Sequence, residues 1–249
     1  MIGIIVVFFS GGLDVKEKDN DKIMIAEHIL EVRHDASGTF LDVRGNVADF
    51  IRKEKFLPHW KIDTNVVNFR DQSEKIEKEG AFVGYKSAGY VVLNSQTRNF
   101  FTDRGSSFWR LIQKNKNYEL PTLTRFGMRT KIFIPSNLSF EEINKRVYEQ
   151  LFSEKGRSLV GGEEKDLQFT IELKESGFNV RIVIGPIHKD EAGKYFKFET
   201  DDFKKCGLFL DLDYYTTTDL NKDTIPKFLS KTVDLMWVKA ECITSGLGL

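Results

Sequence analysis

The alternation in "TLTRFGMRTKIFIP", Thr122 to Pro135, constrains the fold more than any other stretch. Phe126, Met128, Ile132 and Ile134 fall on one side of an extended chain, and Arg125, Gly127, Arg129 and Lys131 on the other. A strand of this kind is half buried, which suits an antiparallel sheet whose apolar face is covered by helices. "GLFLDLDYYTTT", from Gly207, repeats the pattern: Leu208, Leu210, Leu212 and Tyr214 alternate with Asp211 and Asp213.

The remaining elements are read around these two strands. "EHILEVRHDASGTFLDVRG" alternates on both sides of Asp35 to Gly38, which predicts a hairpin, or a strand with a loop. Asn46 caps a short helix to about Lys55, with Asp49 three residues on and Val47, Phe50 and Ile51 inside. "WKIDTNVVNFRD", "GAFVGYKSAGYVVLNS" and "RNFFTDRG" are β-rich, and "SSFWRLIQKNKNYELP" is helical. Ser139 and Glu142 form a capping box for a helix with the stripe Ile143, Val147, Leu151 and Phe152. Gly156 to Lys165 is an exposed glycine-rich loop, "LQFTIELKESGFNVRIVIGP" a hairpin about Glu175-Ser176-Gly177, and "KYFKFE" a short strand. Asp223 and Pro226 open a final helix to about Ile243, with Ile225, Phe228, Leu229, Val233, Met236, Trp237 and Ala240 on its apolar face. The expected class is α+β, in two similar halves, residues 24–120 and 121–249, each a mostly antiparallel sheet packed on one or two helices. Residues 1–23 are read as a leader or an extra edge strand.

Charge narrows the functional classes. With 37 basic and 37 acidic side chains the net charge is zero, so no global field concentrates nucleic acid or anionic membrane at the surface. Cys206 and Cys242 provide neither a disulfide framework nor a four-ligand zinc spacing; they are read as buried small apolar residues in a reducing cytoplasm. No apolar run reaches the roughly 18 to 20 residues that span a bilayer, and no Lys or Arg precedes Ile2 to Phe9, so neither a span nor a targeting segment is expected.

Four constellations are candidates for chemistry. The loop Ser10-Gly11-Gly12-Leu13-Asp14, after an apolar run, is similar to the loop with which ATP pyrophosphatases hold phosphate. The charged run Val15 to Lys22 lacks the amphipathic helix that such a loop needs, so nucleotide binding there is kept as an alternative. Arg125, Arg129 and Lys131, with Gly127 leaving room between them, could hold a phosphate or carboxylate. Asp211 and Asp213 could hold Mg²⁺. Adjacency of the basic and acidic rows in one sheet would make them ion pairs, whereas a shared cleft without pairing would favour a ligand. Asp166 with Glu172 and Lys174 resembles the acid and Glu-x-Lys set of metal-dependent nucleases, although the acids are read as lying on one continuous strand. His28, His34, His59 and His188 show no metal-ligand spacing and are assigned structural or solvent roles.

In this order, the strand "IAEHILEVRHD", the pair "YVVLNSQTRNFFTDR", the helix "FWRLI", Arg125, Gly127 and Arg129, and the closing strand "GLFLDLDYY" with its long helix resemble an uncharacterised, sporadically distributed bacterial family. Its strand motif is of the type Arg-x-Gly-x-Arg-Tyr, with Thr130 here in place of Tyr. The resemblance covers Met24 to about Thr244 and implies no established activity; patchy distribution implies genes that travel with mobile or defence islands. The expected function is a non-enzymatic interaction or structural protein, a component of a larger assembly with an unidentified protein partner, without a cofactor. Exposed edge strands suggest a homodimer. The alternatives are a Mg²⁺-dependent enzyme acting on nucleotides or nucleic acid, and a small-anion sensor.

Overall fold

The computed structural model describes residues 24–95 and 97–249. Its first elements are β1 (Ile25–His34), α1 (Gly38–Lys53), β2 (His59–Ile62), β3 (Val66–Arg70), β4 (Glu79–Gly84), β5 (Ser87–Val92) and α2 (Arg98–Lys114). They are followed by β6 (Leu123–Ser136), α3 (Phe140–Leu151), α4 (Glu154–Val160), β7 (Phe169–Glu175), β8 (Phe178–Ile187), β9 (Cys206–Thr216) and α5 (Ile225–Gly246). The strands form one antiparallel sheet in the order β2-β3-β4-β5-β1-β6-β9-β8-β7. The α+β class and the antiparallel pairing agree with the sequence reading. In place of one sheet per half the described residues form a single nine-stranded sheet, because β1 and β6, the opening strands of the two expected halves, pair from Ile25↔Phe133 to Arg33↔Arg125.

The period-two pattern decides which face is covered. Phe126, Met128, Ile132 and Ile134 of β6 are buried beside Leu30 and Val32 of β1 and Leu208, Leu210, Leu212 and Tyr214 of β9. Over them lie Phe40, Val47 and Ile51 of α1, Phe101, Phe108 and Trp109 of α2, Ile143 and Val147 of α3, and Leu229, Val233 and Met236 of α5, in one apolar cluster. Burying each such side chain is worth about 1.5 to 3 kcal/mol, which is why the helices share this face. Arg104 of α2 adds a polar tie: Nε donates to Glu79 Oε2 at 2.9 Å and Nη2 to Oε1 at 2.6 Å, the Tyr90 hydroxyl donates to the same carboxylate, and the guanidinium lies 4.1 Å over the Phe56 ring. Among the described residues no helix is long and apolar enough to cross a membrane.

Several local expectations are corrected. Asp35 to Gly38 is not a hairpin: Ser37 caps α1 by accepting from Phe40 N, so the helix begins well before Asn46. Phe40, Val47, Ala48 and Ile51 are its buried stripe, and the alternation from Thr39 to Val43 hid that longer period. "RNFFTDRG" opens α2 rather than forming a strand. "KYFKFE" is no strand: residues 192–195 form a turn of 3-10 helix, and Phe196 and Phe198 pack against Phe203. Their alternation reflects two rings turned onto the sheet, not a hydrogen-bonded ladder. The helix α4, capped by Ser153, takes up the first residues of the loop expected from Gly156, and Leu151 is exposed rather than part of the buried stripe. The capping box is present, with Ser139 Oγ accepting from Glu142 N at 3.2 Å and Glu142 Oε2 from Ser139 N at 2.8 Å. Those bonds hold the Glu142 carboxyl below its usual range.

Among the described residues the second face of the sheet is only partly covered. The chain between β8 and β9 folds back over one end, where Phe196 and Phe203 bury Phe133, Phe209 and Ile25. The rest of that face, on β1, β6, β9 and β8, carries the charged rows.

Candidate recognition face

On the second face β6 presents Arg125, Gly127, Arg129 and Lys131, and its neighbours present Glu27, Ile29, Glu31 and Arg33 (β1) and Asp211, Asp213 and Tyr215 (β9). Register sets Arg129 beside Asp213 and Ile29, Lys131 beside Asp211 and Glu27, and Gly127 beside Tyr215 and Glu31. The basic and acidic rows are therefore adjacent, and they pair.

The pairing is diagonal, and Gly127 explains why. Arg125 faces Arg33 across β1, so it runs instead along its own strand, above Gly127, until Nη2 lies 2.9 and 2.8 Å from the two oxygens of Asp213. A Cβ on Gly127 would lie 2.1 Å from Arg125 Nη1; glycine leaves the bed on which the guanidinium rests. Tyr215 stacks beside it at 4.7 Å, and Nη1 reaches Glu31 Oε2 at 3.5 Å. With Asp213 occupied, Arg129 turns to Asp211, Nε to Oδ1 at 2.7 Å and Nη2 to Oδ2 at 2.5 Å, a forked pair. Lys131 then takes Glu27, with Nζ 3.0 Å from Oε1, and also donates to the Tyr195 carbonyl at 2.7 Å. Burial raises the Asp213 carboxyl above its usual range, with Arg125 opposing it, while its bonds to Asp211 raise the Arg129 guanidinium.

Gly127→Ala is expected to dislodge the Arg125 guanidinium and lower stability by about 1 kcal/mol. Chemical denaturation of the single and double variants tests this. Once Gly127 carries a methyl group, Arg125→Ala should cost little more; fully additive losses would show that Arg125 does not depend on the bare backbone.

Beside these pairs lies a cavity of about 300 Å³, lined by Ile29, Phe82 and Gly127 with Glu31, Arg33, Arg125, Arg129 and Asp213. A smaller hollow of about 60 Å³ adjoins it between Arg129, Arg181, Val183, Asp211 and Asp213. The side chains of Arg33, Arg129 and Arg181 are 54, 46 and 51% exposed, against 29, 10 and 26% for Glu31, Asp211 and Asp213. These three guanidiniums thus stand at the surface, whereas Arg125, at 16%, lies as deep as the carboxylates around it, and Glu172, beside Arg181, is 75% exposed. Sequence reasoning missed Glu27, Glu31, Arg33 and Arg181. The signal was present in "EHILEVR", where Glu27, Ile29, Glu31 and Arg33 alternate, but only the sheet order puts that row beside β6.

The other candidates do not line these two hollows. Asp166 precedes β7 instead of sharing its strand, while Glu172 and Lys174 lie on β7, Glu172 at 4.0 Å from Arg181. His28 and His34 point into the helix side, His59 lies on β2, and His188 stacks 3.5 Å from the Phe140 ring. His34 Nδ1 donates to the Asp35 carbonyl at 2.7 Å, leaving Nε2 to accept from the Tyr118 hydroxyl at 3.0 Å. Cys206 is half-buried and Cys242 exposed, so neither is the buried residue expected. Among the described residues no group of three or more His, Cys, Asp or Glu side chains is placed to hold a metal ion. Ser10, Gly11, Gly12 and Asp14 lie outside the described residues, as does the whole 1–23 segment. No family model matches the chain, and no curated protein matches its sequence.

Proposed function

We propose that this chain is a recognition protein, a component of a larger assembly, which binds an acidic segment of a protein partner on the uncovered face of its sheet. The observation that carries this reading is a set of half-exposed guanidiniums, Arg33 and Arg129 at a 300 Å³ cavity and Arg181 at the hollow beside it, over the more deeply set Glu31, Asp211 and Asp213. The Arg33–Glu31 pair is partly exposed and contributes little to stability, so Arg33 can turn to an incoming carboxylate at small cost and gain a charge-assisted bond. Arg129 uses Nε and Nη2 on Asp211, which leaves Nη1 to a ligand.

The small-anion reading at Arg125, Arg129 and Lys131 and the Mg²⁺ reading at Asp211 and Asp213 fit the geometry less well. Arg125 and Lys131 are committed to Asp213 and Glu27, and each aspartate already faces a guanidinium. The same reading takes the chain as a duplicated unit. In support, β1 and β6 are each followed by a helix, a run of antiparallel strands whose last member returns beside the opening strand, and a long closing helix. Likeness to a sporadically distributed bacterial family supports a mobile or defence-related assembly as its setting.

Fluorescence anisotropy with a labelled Asp/Glu-rich peptide tests the proposal. Binding should weaken at least about tenfold in Arg33→Ala/Arg129→Ala/Arg181→Ala and fall with added salt. Stronger stabilisation by phosphate or Mg²⁺-ATP than by peptide, or nucleotide turnover abolished by Asp211→Ala, would replace it with the sensor or the enzyme reading.

A further inference from the structure

Among the described residues the sheet ends at β7, which pairs with β8 on its inner side alone. Ser176 and Gly177 both have positive φ, 53° and 90°, the two-residue turn whose twist suits a hairpin. Glu175 and Phe178 flank that turn and are therefore a hydrogen-bonded pair, and so, two residues apart, are Leu173↔Val180 and Ile171↔Ile182. The N–H and C=O groups of Thr170, Glu172 and Lys174 consequently point away from β8. Among the described residues no hydrogen bond reaches them, and β7 pairs with no other strand.

We propose that β7 is a self-association edge, on which a second copy of this chain pairs antiparallel about a two-fold axis through Leu173. The side chains select both partner and register. With the axis at Leu173, Glu172 lies opposite Lys174 of the partner subunit and Lys174 opposite Glu172 of the partner subunit, both as hydrogen-bonded pairs, while the two Leu173 side chains meet on the helix side. Moving the axis one residue either way sets Glu172 against Glu172 of the partner subunit, or Lys174 against Lys174 of the partner subunit, and like charges directly opposite are unfavourable. The apolar surface agrees with this placement. Ile171 on the helix side of this edge and Leu151 at the end of α3 are each 41% exposed, and Phe152 packs 4.8 Å from the Phe169 ring of β7. Pairing at this edge carries the helix-side core across the junction and closes a row of open backbone groups that would otherwise template aggregation. The opposite edge, β2, is four residues long, with Lys61 tied to Asp63 at 3.0 Å.

Sedimentation velocity on the full chain at micromolar concentrations, with circular dichroism to confirm folding, tests the interface by charge exchange. The unaltered chain should be dimeric. Glu172→Lys or Lys174→Glu alone should weaken self-association at least about tenfold, and the double variant Glu172→Lys/Lys174→Glu should restore it. Under oxidation, Leu173→Cys in a Cys242→Ser background should yield a covalent dimer, because the paired Cβ atoms of a non-hydrogen-bonded site are close enough to bridge. A monomer at these concentrations, or a dimer indifferent to both single charge changes, overturns the proposal.

Discussion

Lys131→Met is expected to destabilise the fold by about 3 kcal/mol, more than any other change on the charged face. Glu27 is fully buried, and its carboxylate has two partners, Lys131 Nζ at 3.0 Å and the Lys197 backbone N–H at 2.9 Å. Methionine keeps the length and packing of the lysine stem and removes the charge. The carboxylate is left with a single neutral donor in a site closed to water, and that unmatched charge is the source of the loss. Glu27→Leu in the same chain should recover most of the stability, since an apolar pair replaces an ion pair at little net cost. Lys131 also donates to Tyr195 O, so hydrogen exchange across 192–204 should speed up in the single variant. Urea midpoints at constant m measure the main effect. A loss well under about 1 kcal/mol would mean that solvent reaches Glu27 and that the pair is a surface one.

The parts of this face that could be read in the sequence are those set by local geometry. Period two fixes which side chains of β6 and β9 share a side, so Arg125, Arg129, Lys131, Asp211 and Asp213 were placed on the wet face from their spacing alone. Which base meets which acid could not be read, because Arg125 and Asp213 are 88 residues apart and their contact depends on strand order and on Gly127 leaving a free bed. Elements were misread where the two periods coincide over a few residues. Phe100 and Phe101 suit a strand as well as a helix until Phe108, Trp109 and Ile112 are seen to fall on the same buried side as Phe101. Phe196 and Phe198 alternate as a strand would, but they are held by rings of the second cluster and by no neighbouring strand among the described residues. The division into halves followed a repeat in element order, while the merging of both into one sheet depends on β1 pairing with β6, about a hundred residues downstream, and no local pattern reports such a pairing.

Acidification from about pH 7 to about pH 5 should cost the protein about 2 kcal/mol through His28 alone. His28 lies on the helix side of β1 beneath the rings of Phe101 and Trp237, at centroid distances of 5.2 and 6.0 Å. Its Nδ1 is 2.9 Å from Thr130 Oγ1, and its Nε2 has no hydrogen-bond partner among the described residues. Burial lowers its pKa from 6.5 to about 4, because an imidazolium there would lose its hydration. A depressed histidine pKa makes the unfolded chain the better proton acceptor. The stabilising contribution is therefore complete above the unfolded value and declines as pH falls from 6.5 towards about 4. Ordinary Asp and Glu side chains titrate near about 3.9 and about 4.3, so the slope in the upper part of that window belongs to histidine. His34, which burial also lowers, adds to it in the same direction. Urea titrations of the unaltered chain and of His28→Gln, repeated across this range, separate the two. The variant should lose most of the slope, keeping only what His34 supplies, whereas an unchanged slope would show that His28 accepts a proton in the folded state as readily as in the unfolded one.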